Sequence, residues 1–142
     1  MALTCTTYGH FPEKISNKEI DYVTDDIKIM LCTDSYVPNQ DTDEYKSDVT
    51  NEISISGYTS GGKILTSKSI TYNSKITTLI SGDVVWTLLT GEFRYAVIYC
   101  DTGVASTSAL ISYIDFGSTV TTTLTDVTIS WDAGILLTFT VA

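Results

Sequence analysis

The sequence predicts an all-β domain, a two-sheet β-sandwich or jelly-roll-like barrel of eight or nine strands with a short N-terminal helix. Three observations lead there. Val, Ile and Thr supply 49 of the 142 residues and Tyr nine more, and branched and aromatic side chains are the ones that pack on a pleated surface. Short apolar segments recur at strand length, broken by turns rich in Gly and Asp. No long run of strong helix formers could serve as repeated crossovers, which argues against a doubly wound α/β domain. A chain of this length fits a single domain, residues 1–142, with a folded surface of roughly 7,000 Å² against roughly 22,000 Å² unfolded.

Residues 1–26 are the least regular part. Phe11-Pro12-Glu13 opens a short helix that runs to about Asp21, with Pro12 in its first turn and Ile15 and Ile20 facing inward. Asp26 to Cys32 is the first clear strand, and its second face of Lys28, Met30 and Cys32 predicts cover on both sides. A long acidic excursion follows over residues 33–50, with Pro38-Asn39, five acids and a turn of helix near Asp43–Asp48. Asn51 to Ser56 alternates like a strand, with Ile53 and Ile55 inward, and Gly57 to Gly62 forms a loop. Residues 63–80 read as one or two strands through Ile70, Tyr72 and Ile76, turning at Asn73-Ser74.

Ser81-Gly82-Asp83 is a turn, and the strand after it places Val84, Trp86 and Leu88 on one face. Thr90-Gly91-Glu92 then reads as a further turn into Phe93–Cys100, a nearly unbroken apolar segment expected at the centre of a sheet. Ala109 to Phe116 is a strand closing at Gly117, residues 119–124 a Thr-rich edge strand, and Asp126 to Trp131 another strand. Asp132-Ala133-Gly134 is a hairpin-like turn into the final strand, Ile135–Val141.

Seventeen acids oppose eight bases, a formal charge of −9, and ten of the acids precede residue 51. Such a chain repels bare phosphate backbones and anionic membranes, so neither nucleic acid nor membrane is an expected partner. No stretch approaches the apolar length of a membrane span. The segment Met1–Thr7 has neither a basic region nor an apolar run, so the expectation is a soluble protein without a secretory leader. Cys5, Cys32 and Cys100 have no short pairing motif and read as free thiols in a reducing compartment.

Chemistry is sparse. His10 is the only histidine and sits beside Gly9 in the least regular segment, where a surface or turn role outweighs catalysis. Three cysteines and one histidine would all be needed for a four-ligand zinc site, so no metal is expected there. Asp34, Asp41, Asp43, Glu44 and Asp48 do not match the spacing of a calcium loop and read as solvated surface charge. Asp83, Glu92, Asp101, Asp115, Asp126 and Asp132 mostly stand at strand ends, where turn chemistry explains them. The Gly57–Gly62 loop lacks the Gly-Lys-Ser/Thr of a phosphate cradle. The expectation is a non-enzymatic structural or binding module with no cofactor.

A set of ordered motifs carries a resemblance. They are Asp25–Cys32, then Tyr36-Val37-Pro38-Asn39 with Asp41-Thr42, Glu52-Ile53 and Gly57–Gly62. Val84-Val85-Trp86, Arg94–Tyr99 with Asp101-Thr102-Gly103, and Leu110–Gly117 continue the set. In this order and spacing the chain resembles a family of small tailed-bacteriophage structural proteins encoded among head and tail genes. The resemblance implies a virion component made in the bacterial host cytoplasm, most plausibly an auxiliary or decoration protein on the capsid surface. The major capsid protein or another virion protein would be its partner, and a homo-oligomer its form. A tail, neck or head-fibre part is the alternative, with a glycan- or receptor-binding module behind it. Tyr36, Pro38, Asp41 and Tyr45 in the excursion, and Tyr58 in the glycine loop, are the expected contact residues, because exposed aromatics anchor interfaces. The competing reading of both segments is an ordinary turn with its Tyr tucked against the sandwich.

Overall fold

The computed structural model describes residues 5–142, so Met1–Thr4 of the segment read for a secretory leader lie outside the described residues. Two antiparallel sheets form, as the composition predicts. The larger has the order β1 (Thr6–Thr7), β7 (Leu110–Ile129), β6 (Val84–Cys100), β2 (Ile27–Cys32), β3 (Lys63–Ile64). The smaller has the order β4 (Ser69–Asn73), β5 (Ile76–Ile80), β8 (Ile135–Thr140). A six-residue helix, α1 (Phe11–Ser16), starts with Pro12 in its first turn and is shorter than the expected run to Asp21. Ile20 is buried as expected, but Ile15 is exposed, because α1 turns Phe11 and Lys14 inward. No helix among the described residues is long and apolar enough to cross a membrane.

The middle of the large sheet is covered on both faces. Ala96, Ile98 and Cys100 of β6 join a core with Trp86, Phe93, Ile111, Leu79, Leu136 and Leu137, which fills the space between the two sheets. On the opposite face, Tyr95, Val97 and Tyr99 pack with Met30, Cys32, Tyr8, Tyr36 and Leu110 beneath the acidic excursion. Helix α1 closes one end of the inter-sheet core through the Phe11 and Phe139 rings, 5.8 Å apart. The Tyr22 hydroxyl donates to the Ile80 carbonyl (2.9 Å), tying the segment after the helix to the small sheet.

The sequence divides the central ribbon wrongly. No turn occurs at Thr90-Gly91-Glu92, and the strand does not end at Gly117; β6 runs 17 residues and β7 20 residues. They pair from Val84↔Ile129 to Tyr99↔Leu110, although the pairing breaks around Gly117, where residues 116–119 face the single Arg94. Gly91 is accommodated in the strand with φ +147° because its bare Cα lies against Ile55, where a Cβ would approach to 2.6 Å. The segment 51–56, expected as a strand, instead forms isolated bridges at Cys32↔Glu52 and Ser56↔Thr90, with Ile53 buried and Ile55 half-buried. The Asp132–Gly134 turn is present as a short 3₁₀ segment, but it passes the chain from the large sheet to the small one and closes no hairpin.

Two opposed bulges explain why Leu88 does not share the buried face of Trp86. Between the pairs Trp86↔Val127 and Leu89↔Thr125, Thr87 and Leu88 face the single Asp126. Between Leu89↔Thr125 and Gly91↔Thr122, Thr123 and Leu124 face the single Thr90. An extra residue reverses strand alternation, so Leu88 is 59% exposed while Leu89 is fully buried. Both bulged leucines have left-handed backbone, φ +51° and +46°, a conformation that costs an L residue about 1–2 kcal/mol. Their amides are held by side chains of the facing strand, Leu88 N by Asp126 Oδ1 (2.9 Å) and Leu124 N by Thr90 Oγ1 (2.8 Å).

The two neighbouring leucines should therefore respond oppositely to truncation. Leu88→Gly is expected to leave stability unchanged or raise it by up to about 1 kcal/mol. Leu89→Ala should lose about 2–5 kcal/mol through its cavity. Chemical denaturation of the two variants measures both, and equal losses would contradict the bulge.

Candidate interaction surface

The excursion over residues 33–50 is held down from within. Tyr36 is only 2% exposed, so it is a core side chain and not the exposed anchor expected of it. Its ring meets Tyr95 edge-on at 5.9 Å, its hydroxyl pairs with that of Tyr8 at 2.7 Å, and it donates to Asp43 Oδ2 at 2.9 Å. Burial pushes the Tyr36 phenol well above the ordinary range, and the neighbouring Tyr8 and Asp43 add to this. The acids of this segment build its turns. Asp43 also accepts the Asn39 amide, Asn39 Oδ1 those of Asp41 and Thr42, and Asp48 Oδ2 those of Glu44 and Tyr45. Short polar side chains that bond nearby amides in this way are the ordinary makers of loops. Asp41 and Val37 are exposed, and Pro38 is half-buried.

Lys14 ties the excursion to α1. Its ammonium, 2% exposed, bonds Glu44 and the Tyr45 hydroxyl (2.8 Å) and lies 3.6 Å from Glu19 and 3.8 Å from Glu13. Burial opposes its charge, yet the bonds to Glu44 and Tyr45 outweigh that and hold the ammonium above its usual range. Tyr45 is half-buried over this ammonium, 4.5 Å from it, and donates to Glu19 Oε2 (3.1 Å). His10, Glu13 and Glu44 bring ligand atoms within 4.8 Å of one another, but Lys14 already supplies the cation among these carboxylates.

Tyr58 latches the glycine loop to the large sheet. Its ring stacks on Trp86, and its hydroxyl donates to Glu52 Oε1 (2.7 Å) while accepting the Leu31 amide (3.1 Å). Glu52 also accepts the Gly61 amide, and Tyr99 donates to the Gly61 carbonyl (2.7 Å). Gly62 must be glycine here, since a Cβ would fall 1.8 Å from the Ile29 carbonyl oxygen at φ +80°. All three tyrosines named from the sequence are thus tucked against the body, and their hydroxyls are engaged within the chain.

Two of the three cysteines are likewise enclosed, while Cys5 is half-buried. Cys32 and Cys100 lie in strands as small core residues, and burial pushes both thiols up to about 12. A surface cleft of about 450 Å³ is lined by Asp25, Asp26, Cys100 and Asp101, and the Cys100 thiol there donates to Asp25 Oδ2 (3.5 Å). Lys28 pairs with Asp101 at 2.6 Å and Arg94 with Asp115 at 3.1 Å.

What stays open is the small sheet. Every residue of β4 is exposed, Tyr72 to 71%. The outer face of the sheet carries Thr71, Thr78, Ile76, Ile80 and Ile135 around a shallow depression of about 400 Å³. No acid occurs between Ile53 and Gly82, so this is the least negative part of a chain with charge −9. The sequence contained a signal for it, a neutral Ser69-Ile70-Thr71-Tyr72-Asn73 strand flanked by Ser67-Lys68 and Ser74-Lys75.

Two solution measurements follow from these contacts. The hydrogen bond from Lys14, ahead of a smaller opposing effect of burial, holds the Glu44 carboxyl below its ordinary value of 4.5. The stabilisation from this pair is therefore present above about pH 4.5 and lost as pH falls through the lower folded value. Glu44→Gln should flatten the acid limb of stability against pH, read by urea denaturation between about pH 7 and about pH 2; an unchanged limb would contradict the pairing. A thiol reagent at about pH 8 should leave Cys32 and Cys100 unmodified in the native protein and label both after unfolding. Rapid native labelling would contradict their burial.

Comparison of the chain with protein-family models, with curated proteins and with solved structures returns no match.

Proposed function

We propose that the chain is a non-enzymatic bacteriophage virion protein, an auxiliary or decoration subunit that seats on the major capsid protein and stabilises the icosahedral shell. One observation carries the reading. Many of the acids build turns or ion pairs and two of the three thiols are buried, while the accessible feature is the outer face of the small sheet, with Thr71, Thr78, Ile76, Ile80 and Ile135 and no acid. A decoration subunit needs such a face: it folds alone, docks on a repeating surface, and stabilises it by covering neighbouring subunits. A standard contact buries roughly 1,200–2,000 Å² in total, and repetition over a shell multiplies a weak contact into avidity. The ordered phage-like motifs from Asp25 to Gly117 support the same assignment. A net charge of −9 suits a subunit that stays in solution until it docks.

The test is a cryo-EM reconstruction of intact purified particles with this chain located in the density. Copies seated over major capsid subunits on the outer shell are the expected result. Density confined to the tail or neck, in a ring of limited copy number, would overturn the capsid assignment.

A further inference from the structure

The free edge of β4 carries an inference that stands apart from the virion reading. The geometry points to a two-fold homodimer in which β4 of one copy pairs antiparallel with β4 of another, joining two three-stranded sheets into one of six strands.

The other edges in the molecule contrast with this one. The large sheet ends in β1 and β3, strands of two residues each, and β3 carries Lys63. β8, at the far side of the small sheet, carries a bulge, since Leu79↔Leu137 and Ile80↔Ile135 are successive pairs and leave Leu136 over. Natural sheets blunt their edges with short strands, lysine, proline or bulges. β4 has none of these: it is five residues long, uncharged, in regular register with β5, and exposed throughout. Among the described residues, its backbone makes no hydrogen bond apart from the ladder to β5.

Hairpin geometry says which groups face outward. The two-residue loop Ser74-Lys75 has left-handed backbone at both positions, φ +50° and +70°, which makes Asn73 and Ile76 the hydrogen-bonded closing pair. Alternation then turns the amides and carbonyls of Ser69, Thr71 and Asn73 toward β5, and those of Ile70 and Tyr72 toward the free edge. A two-fold axis through Thr71 places Ile70 opposite Tyr72 of the second copy, twice, and each such pair exchanges both of its backbone bonds. Centring on Ile70 or on Tyr72 would satisfy only one pair. The register is therefore dictated by the bonds available.

Side chains and charge agree with it. Ile70 against Tyr72 of the second copy is a β-branched and aromatic cross-strand pair, a favourable kind. Ile70 also lines a depression of about 390 Å³ with Ile15, Ile20, Tyr22 and Leu79, and with Lys18 and Asp21 as an oppositely charged pair of neighbours, so the incoming ring lands beside a mainly apolar hollow. Two chains of charge −9 repel one another over most of their surfaces, but residues 53–82 contain no acid. Centred on Thr71, Lys68 meets Ser74 and Lys75 meets Ser67 of the second copy, so no two lysines are directly opposed.

The experiment is sedimentation equilibrium combined with cysteine cross-linking on the full chain. Wild-type protein is expected to sediment at twice its 15.5 kDa chain mass. Thr71 faces its own copy in a non-hydrogen-bonded pair, where Cα atoms lie about 4.5 Å apart, within disulfide reach. Oxidised Thr71→Cys should therefore run as a covalent dimer. Ser69→Cys, opposite Asn73, should not cross-link beyond the wild-type background of Cys5. Thr71→Lys sets two lysines face to face and should sediment as a monomer with an unchanged circular dichroism spectrum. A wild-type monomer at every concentration reached, a dimer that survives Thr71→Lys, or equal cross-linking at residues 69 and 71 would each overturn the pairing. Free protein alone is used, so the outcome is separate from where the chain sits on a particle.

Discussion

The antiparallel pairing of β6 with β7 is the contact on which the other elements depend. One half of β6, Phe93–Cys100, is apolar on both faces and lies between β7 and β2. A strand of that kind stabilises a fold only if something covers each side. The small sheet and α1 cover one side, and the acidic excursion with Tyr8 covers the other. The placement of the rest of the chain is largely the answer to that requirement.

The other half of the ribbon shows how the same two strands change their role. Past Phe93 toward Val84 the second face loses its cover, and β7 becomes rich in exposed Thr. The bulges at Leu88 and Leu124 occur there, each adding one residue to a different strand, so the register is restored by Gly91. They keep Trp86, Leu89 and Phe93 in contact with the inter-sheet core while the ribbon twists, at the expense of two leucines in left-handed backbone.

Charge in this protein is largely architecture. Asp21, Asp43 and Asp48 each hold two or more backbone or hydroxyl donors, and Lys14 gathers Glu13, Glu19 and Glu44 around a buried ammonium. Removing the acids around Lys14 leaves a buried charge short of partners, whereas the amides held by Asp21 and Asp48 are exposed and would turn to water. The acids that looked like a surface field in the sequence are also the fasteners of the excursion. The part of the chain without acids is the part left with an open sheet edge.

The all-β class, the free thiols in strands, the Ser74 turn and the two-sided cover of β2 were legible in the sequence, because each depends on local alternation or turn chemistry. Three features were not. Gly91 and Gly117 looked like turns, since a glycine that permits a turn also permits a bulge or a close approach, and the Ile55 side chain that decides for Gly91 is 36 positions away. Leu88 looked buried because alternation carries no mark of an inserted residue, which only the facing strand reveals. Tyr36, Tyr45 and Tyr58 read from the sequence either as contact residues or as turn tyrosines tucked against the sandwich, because an aromatic in a polar loop reads the same whether its ring is in or out. Their places were decided by the Tyr8 hydroxyl, the Lys14 ammonium and Glu52, which only the folded chain brings within bonding distance.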